Sequence, residues 1–517
     1  MLNVHVCIYK FIDIKYIEER MKKEVKFIIG IILCIIVIAG IIAFNYNKVN
    51  AVMGMVISII AILLCAKIYT EKQLKPEKLF LYIVPIIMIL FLIGIPSWKN
   101  ADEPVHWFRI YDISQGNLYT KKNNGLAVVE LPEAVYNYHN YTNELGIKYS
   151  DFKELYENEI IEDGKVIYRE LSTAAVYHPI QYMPQVIGTF IADIFTDRPF
   201  VMMYFARVFN MIFSLAILYL AIKTIPYGKN IMLLLTCIPV AVSSFASMSP
   251  DAMTISMSYL FISYILKLLN EKDKKINWKD KILLIIMGMV IALCKIVYLP
   301  LVGLILILPK EKYNSKREQI ITCALIMGCA IITNLLWLGY SSQYLVEYKE
   351  GNPIAQTVSL FEHPIQYIQK ILYTINADMQ IYLYGLFGYG VGADLHIVLY
   401  STLPIIMFII FLFITIADND IKNKFTTYQK IIISLITLAI IGLIFTSLYI
   451  QWTPANYDTI AGVQGRYFLP ILPLVSLLIA NTIKIKSDYN NKLTKILGIV
   501  LLIIYVYIML TVATDNM

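Results

Sequence analysis

The sequence has few charged residues and many apolar ones. Asp, Glu, Lys and Arg make up only 16% of the 517 residues, whereas hydrophobic residues make up 58%. Soluble domains carry about 25% charged residues, so this chain cannot hide its apolar surface by folding in water alone. The composition therefore indicates a protein for which lipid is part of the solvent.

Three further absences exclude functional classes. The sequence has no Walker A loop, which argues against ATP-driven transport. The seven cysteines stand singly, most of them inside apolar runs, so we predict no cysteine metal site or disulfide framework. The net charge of +7 comes from Lys and Arg in short loops between apolar runs, so no nucleic-acid partner is expected.

What the sequence does contain is a series of long apolar runs. A membrane helix needs about 20 such residues. The run 281–309 is long enough for two short spans, and Lys295 near its middle predicts a helical hairpin that turns there. The sequence thus predicts an all-α polytopic membrane protein with about 13 transmembrane helices. The other runs lie near 27–44, 50–68, 79–96, 199–223, 230–248, 252–269, 318–339, 397–417, 430–450, 466–483 and 495–513.

Basic loops orient the chain. If 281–309 is a hairpin, all of them fall on one side of the bilayer, and the positive-inside rule makes that side, with the N-terminus, cytoplasmic. Two large loops, about 97–198 and 340–396, then lie outside, and we expect short helices in them. The basic loops are the N-terminal segment and residues 67–78, 267–281, 310–317, 422–430 and 484–495.

The predicted organisation has four parts. Residues 1–26 form a cytoplasmic N-terminus, in which Met21 would be a more natural start. Residues 27–78 hold two extra spans, residues 79–483 form the main membrane domain, and residues 484–517 form the last span and tail.

Five polar clusters stand at predicted outer helix ends. In the first, Asp102, His106 and Arg109 are spaced i, i+4 and i+7, hence on one face of a helix that starts near Pro104. Glu103 adds a second acid, and two acids beside a His and an Arg favour a functional site. The alternative is an N-terminal acid with ordinary partners on the helix surface.

The second and third clusters have structural alternatives of similar weight. His178 and Tyr182 stand in a proline-rich stretch that could simply shape a loop. Helix capping fully explains Ser249 and Pro250. Asp251 is either an ordinary first-turn acid or a functional group at the bilayer boundary.

The last two clusters place cations on the side where the positive-inside rule does not expect them. Lys295 is followed by Tyr298, and Arg466 stands between Gln464 and Tyr467. Each cation alone could be an interfacial anchor. Together they predict a site for an anion, for which a lipid-linked phosphate is the obvious candidate.

In this order, the five clusters resemble a bacterial membrane-protein family called domain of unknown function 2142, whose members look like remote relatives of the C-type glycosyltransferases. The resemblance covers roughly residues 79–483. It implies a fold like that of the C-type (GT-C) enzymes in a bacterial plasma membrane, with an extracytoplasmic active face. The residues that carry it are Asp102-Glu-Pro-Val-His106 with Arg109, His178-Pro179 with Tyr182, Ser249-Pro-Asp251, Lys295 with Tyr298 and Pro300, and Gln464-Gly-Arg-Tyr-Phe-Leu-Pro470.

The resemblance implies a glycosyltransferase that moves a sugar from a polyprenyl-phosphate donor to a cell-envelope glycan. Asp102, or its neighbour Glu103, matches the position of the general base. We expect an inverting reaction in which Lys295 and Arg466 offset charge on the leaving phosphate. A divalent cation, Mg or Mn, is left open, with Asp102, Glu103 and His106 as its ligands. The substrate site would contain His106, Arg109, His178, Tyr182, Asp251, Lys295, Tyr298, Gln464, Arg466 and Tyr467.

Two alternatives stay open. A flippase or transporter of lipid-linked sugars also needs many spans and an anion site, but it should place ionisable residues near the bilayer midplane and show inverted repeats. An envelope polysaccharide polymerase or ligase would act on lipid-linked sugars at the same face.

Overall fold

The computed structural model describes most of the chain as two compact units. In one, which includes residues 48–74 and Lys495–Asp515, the Nζ of Lys495 donates to the carbonyl of Tyr69 at 2.9 Å. The other runs from Lys75 to Thr494 and contains every predicted site residue. The predicted span 27–44 and the start at Met21 lie outside the described residues. These are residues 48–98, 100, 102–123, 126–137, 152–162, 164–344, 352–388, 402–418, 425–454, 457–482 and 490–515.

Helices dominate the described residues, because a helix satisfies its backbone hydrogen bonds internally and so suits lipid. Helices of the 3₁₀ type cover Pro179–Tyr182, Ile296–Ile307, Lys310–Lys312, Ser342–Tyr344 and Gly465–Ile471. The α-helices are α1 (Lys48–Thr70), α2 (Pro76–Gly94), α3 (Glu103–Ser114), α4 (Glu133–Asn137), α5 (Phe152–Asn158), α6 (Ser172–Ala175), α7 (Met183–Asp193), α8 (Pro199–Thr224), α9 (Lys229–Thr236), α10 (Pro239–Phe245), α11 (Asp251–Asn270), α12 (Trp278–Cys294), α13 (Lys316–Ser341), α14 (Pro353–Glu362), α15 (Pro364–Phe387), α16 (Leu403–Ala417), α17 (Thr427–Trp452), α18 (Leu472–Thr482) and α19 (Asn490–Asp515).

Six helical segments in the described residues are long and apolar enough to cross a membrane, which confirms a helical membrane protein with several spans. They lie in α2, α8, α11, α13, α17 and α19. Six is fewer than the predicted count, because the predicted span 27–44 lies outside the described residues and some other apolar runs fold as short or interrupted helices. The run 230–248 is two helices, α9 and α10, since Pro239 disfavours helical geometry at Ile238 and cannot donate a backbone hydrogen bond.

The run 281–309 folds as the predicted hairpin. Helix α12 ends before Lys295, which is extended with φ −152° and ψ 130°, and the 3₁₀ helix Ile296–Ile307 follows. The amide of Ile276 donates to the carbonyl of Lys312 at 2.9 Å. The basic loop that precedes the hairpin therefore lies beside the basic loop that follows it.

The predicted outer loop 97–198 contains a small antiparallel sheet, so the chain is not all-α. Its second strand, β2 (Leu126–Pro132), alternates between exposed and buried residues, and Ala127, Val129 and Leu131 point inward. This period of two, with two valines, is the pattern of a half-buried strand. The order is β1-β2-β3, with β1 at Lys121–Asn123, β2 at Leu126–Pro132 and β3 at Val166–Glu170.

The buried face of this sheet packs on α3 and α8. Val129 and Leu131 join a cluster that includes Trp107 of α3 and Met202 of α8. The second predicted outer loop, 340–396, contains α14 and α15, and α15 is 24 residues long rather than short.

Candidate functional site

Four predicted site residues form a row of ion pairs, called here the charge chain. Asp102 Oδ2 lies 2.8 Å from Arg466 Nη2. The Nε of Arg466 lies 3.6 Å from Asp251 Oδ2, and the other oxygen of Asp251 lies 2.6 Å from Lys295 Nζ. With two acids and two cations, these four residues carry no net charge. Only Asp102 is largely open to solvent, with 60% of its side-chain surface exposed.

Helix ends bring these residues together. Asp251 is the first residue of α11, and Lys295 follows the last residue of α12. An acid is stabilised at a helix N-terminus and a cation at a C-terminus, so each suits its position. Arg466 is the second residue of the 3₁₀ helix Gly465–Ile471. The hairpin prediction, on which the convergence of the clusters depended, is thus supported at the site itself.

Asp102 lies just outside α3 in left-handed backbone, with φ 61° and ψ 9°. Such geometry in a residue other than glycine costs about 1–3 kcal/mol and persists only where neighbours enforce it. Trp98, four residues earlier, is also left-handed with φ 71°. A tightly bonded turn therefore presents the Asp102 carboxylate.

Glu103, predicted as an alternative base, is buried and supports this turn instead. Its Oε2 accepts a hydrogen bond from the amide of Trp98 at 2.7 Å, and its Oε1 accepts one from the amide of Met248 at 3.0 Å. Oε1 also lies 3.3 Å from the Nε of Arg207. The sequence reasoning missed Arg207, although a lone cation inside the apolar run of α8 was a usable signal.

Near neutral pH His106 is neutral and Asp102 carries a negative charge. Burial lowers the pKa of His106 to about 4, so its imidazole is neutral. Its Nδ1 lies 2.8 Å from the hydroxyl of Tyr182. Desolvation works to raise the pKa of Asp102, but the Arg466 guanidinium outweighs it and holds that pKa below its usual value. Asp102 is therefore ionised.

Aromatic rings surround the Lys295 end of the charge chain. The Nζ of Lys295 lies 4.9 Å from the ring centre of Tyr467 and 5.5 Å from that of Tyr177. Both contacts are in the range of cation–π attraction. The hydroxyl of Tyr298 donates to the carbonyl of Tyr467 at 2.8 Å, so Tyr298 fixes the segment that carries Arg466.

Two adjacent cavities meet at the charge chain. One, called here the Lys295 cavity, has a volume of about 230 Å³ and includes Lys295 in its wall. The other, called here the Asp102 cavity, has a volume of about 390 Å³ and includes Asp102, His106 and Gln464. The Lys295 cavity is otherwise lined largely by α12, α13 and α17, and the Asp102 cavity also by β3 and α6. The residues common to both walls are Val176, Tyr177, Leu448, Gln451 and Tyr467.

Arg109 does not join this cluster. It is fully buried, and its Nη1 pairs with Asp112 at 2.8 Å. The same nitrogen donates to the carbonyl of Asn117, while Nη2 donates to that of Leu118 at 2.6 Å. Because these partners belong to α3 and the turn after it, Arg109 closes the C-terminal end of this helix.

His178 has a local role as well. Its Nδ1 accepts a hydrogen bond from the amide of Ile180 at 3.0 Å, which caps the 3₁₀ helix Pro179–Tyr182. Its ring lies edge-on to Trp337, with 4.5 Å between the centroids. Burial lowers the pKa of His178 to about 4.

The proposed metal ligands are not arranged as a metal site. Asp102 and His106 line the Asp102 cavity, but Glu103 points away from it towards Trp98 and Met248. Within the described part of the chain, no group of three or more His, Cys, Asp or Glu side chains could hold a metal ion.

Comparisons with known proteins point to one family. No curated protein and no solved structure matches the chain. The family described as predicted membrane protein (DUF2142) matches residues 85–475, more than half of the chain, and the matched region includes the whole charge chain. The resemblance found in the sequence is confirmed, and the chain belongs to this family of predicted membrane proteins.

Proposed function

We propose that the protein is a membrane glycosyltransferase that moves a sugar from a polyprenyl-phosphate donor to a cell-envelope glycan at the outer face. The observation that carries the proposal is the position of the charge chain. It stands where a cavity that contains the cation Lys295 meets a second cavity that contains the exposed, ionised acid Asp102. That arrangement suits a reaction between a lipid-borne donor and a polar acceptor.

The Lys295 cavity suits the donor. Its walls include Trp337 and Leu338 of α13 and Ile444 of α17, which match a hydrocarbon chain. Lys295 offers three N–H donors, and only one is directed at Asp251. The others can reach phosphate oxygens at the boundary of the cavity.

The Asp102 cavity suits an acceptor that carries hydroxyl groups. Gln464 supplies amide donors and acceptors, and Tyr344 and Trp452 supply aromatic surface. The exposed carboxylate of Asp102 can accept a proton directly from an acceptor hydroxyl. The neutral imidazole of His106, held by Tyr182, orients that hydroxyl.

In the proposed reaction the acceptor oxygen bonds to the anomeric carbon as the bond from that carbon to the phosphate oxygen breaks. The hydroxyl proton passes to Asp102, and the electron pair of the broken bond stays on the phosphate. Lys295 and Arg466 offset the charge that builds there. Attack from the face opposite the phosphate inverts the anomeric carbon and needs no covalent intermediate on the enzyme.

The positions of the charged residues favour an enzyme over a transporter. Asp251 and Lys295 stand at the ends of α11 and α12. A transport site would place its ionisable groups near the bilayer midplane, in interrupted spans. A polymerase or ligase would use the same chemistry with a longer donor glycan.

The test is the composition of cell-surface glycans in cells that lack the protein and carry a plasmid-borne variant. Asp102→Asn should remove the transferred sugar from the surface, because the amide cannot accept the proton. The matched control is Glu162→Gln, since Glu162 is also 60% exposed and ion-paired, with Lys165. Normal glycans with Asp102→Asn, in cells whose membranes hold as much protein as the wild type, would refute Asp102 as the base.

A further inference from the structure

Helices α14 and α15 present a row of exposed apolar side chains. Its members are between 46% and 78% exposed. Their spacing of three or four residues puts them on one side of each helix. Exposing such a row to water is unfavourable by roughly 25 cal/mol for each Å² of apolar surface. The row consists of Ile354, Val358, Phe361, Ile365, Ile368 and Leu372.

The opposite side of these helices carries polar groups and faces the protein. This is the reverse of an amphipathic helix on a soluble protein, which buries its apolar side. The contacts join Gln356 Nε2 to the carbonyl of Thr453 at 2.6 Å, Lys370 Nζ to the carbonyl of Tyr457 at 2.7 Å, and the amide of Ile460 to Thr374 Oγ1 at 2.9 Å.

A third side of α15 is exposed and polar. It carries Gln366, Gln369, Asn376 and Gln380, which follow one another at helical spacing beside the apolar row. An exposed apolar side next to an exposed polar side is typical of a helix that lies in the membrane interface. Consistent with this, α15 is not among the helices apolar enough to span a bilayer.

The apolar row continues along α15 through the exposed Met379, towards a surface that belongs in lipid. Phe387 at the end of α15 packs on Phe408 of α16, with ring centroids 5.4 Å apart. Helix α16 is almost wholly apolar and exposes Ile405, Ile409 and Phe413. A bilayer that covers α16 therefore reaches α15.

We propose that α14 and α15 lie in the interface of the bilayer, with the apolar row in the acyl chains and the Gln-rich side towards the headgroups. The partner of this surface is lipid, and α14 and α15 form an anchor on the membrane. The assignment does not depend on the sugar transfer proposed above.

The anchor also fixes part of the charge chain. Gly465 lies so close to the backbone of α15 that an added Cβ would stand 2.2 Å from the carbonyl oxygen of Tyr382. Arg466 is the next residue, so the depth of α15 in the interface sets the height of the Arg466 guanidinium. A lipid-borne substrate and Arg466 would thus lie at matching depths in the membrane interface.

Photo-crosslinking in native membranes tests the proposal. The amino acid p-benzoylphenylalanine is placed at Ile365 or Leu372 in the apolar row. The control position is Gln369 on the Gln-rich side. After irradiation, the full-length protein is analysed by mass spectrometry for phospholipid adducts and by gel for crosslinked dimers. We expect acyl-chain adducts at Ile365 and Leu372 to exceed those at Gln369 by at least about threefold.

Two results would overturn the assignment. Crosslinked dimers in place of lipid adducts would mean that a second copy of the chain covers the apolar row. Equal, low adduct yields at all three positions would mean that this side faces water. Protein that is still membrane-inserted and of normal size in gel filtration shows that each variant has folded.

Discussion

At the residue scale, Asp251 holds both cations of the charge chain. Its two oxygens lie 2.6 Å from Lys295 Nζ and 3.6 Å from Arg466 Nε. Under the proposed function, a phosphate that enters the site would compete with Asp251 for these cations. Asp251 would thus hold the two cations in place at the cost of weaker phosphate binding.

Asp251→Asn should strengthen binding of a polyprenyl monophosphate by about tenfold, since the two cations lose a competing carboxylate. Binding can be measured with purified protein in detergent. Glu318→Gln is the control, because Glu318 forms an equally short 2.6 Å pair with Lys281 at the other end of α12. Unchanged or weaker binding in a folded Asp251→Asn variant would exclude competition.

The buried histidines predict a loss of stability in acid. His106 and His178 have pKa values near 4 in the folded protein, and an unfolded histidine has a pKa of about 6.5. Between pH 6.5 and 4 the unfolded chain binds more protons, so the free energy of unfolding falls as the pH falls. For His106 the loss between pH 7 and 5 is about 2 kcal/mol.

Melting temperatures of the purified protein at pH 7 and 5 test this. His106→Gln should shrink the acid-induced drop, and the double variant with His178→Gln should shrink it further. Tyr182→Phe removes the hydroxyl partner of His106 but leaves the buried imidazole, so it should keep the drop. An undiminished drop in both His variants would contradict the assignment.

The sequence singled out the four members of the charge chain because each is an ionisable group at a predicted outer helix end. It did not separate Asp102 from Glu103. Their divergence depends on the left-handed backbone of Asp102, which no local pattern predicts. The same geometry puts Asp102 outside α3, so the i+7 spacing did not bring Arg109 to its side.

At the element scale, the contact of α15 with the 3₁₀ helix Gly465–Ile471 positions Arg466. An added Cβ at Gly465 would lie 2.2 Å from the carbonyl oxygen of Tyr382 and 2.3 Å from the amide nitrogen of Leu386. These are backbone atoms, which cannot turn aside as the end of a side chain can. The two helices would have to separate.

Gly465→Ala should therefore lower the free energy of unfolding by roughly 2 kcal/mol, which lowers the melting temperature. The same change should weaken polyprenyl monophosphate binding. Gly442→Ala is the control, because Gly442 stands in α17 with nothing within 4 Å of an added Cβ. That change should be neutral or stabilising, since alanine favours helix. Equal behaviour of the two variants would show that the close contact does not matter.

The sequence predicted the elements whose apolar pattern is strong and missed those that tertiary contacts stabilise. The hairpin at Lys295 was predicted because one charge interrupts a long apolar run. The sheet was missed because β2, with seven residues, draws its stability from the core beneath it, including Trp107. Pro239 indicates a break in the helix, but the apolar length of 230–248 favoured a single span in the prediction.

At the scale of the whole molecule, the charge chain and a basic loop occupy opposite ends of helix α12. The helix begins after the loop 271–277, and its last residue, Cys294, precedes Lys295. The positive-inside rule predicts that the basic end is cytoplasmic and that the charge chain faces outward.

Labelling of introduced cysteines in intact cells tests this orientation. Lys122→Cys in β1 should react with a membrane-impermeant maleimide, and Lys272→Cys should react only after the cells are opened, since both positions are exposed. The reverse pattern would place the charge chain in the cytoplasm and remove the outer-face reaction.

The central claim is that Asp102 takes the proton while sugar leaves a lipid phosphate. The protein is reconstituted in liposomes with a total extract of radiolabelled polyprenyl-phosphate sugars and envelope glycan, and the release of free polyprenyl phosphate is followed. Wild-type protein should release it with sugar transfer to the glycan, and Asp102→Asn should do so at least about 100-fold more slowly. Equal rates in the two proteins, or intact lipid-linked sugar that only changes leaflet, would contradict the account.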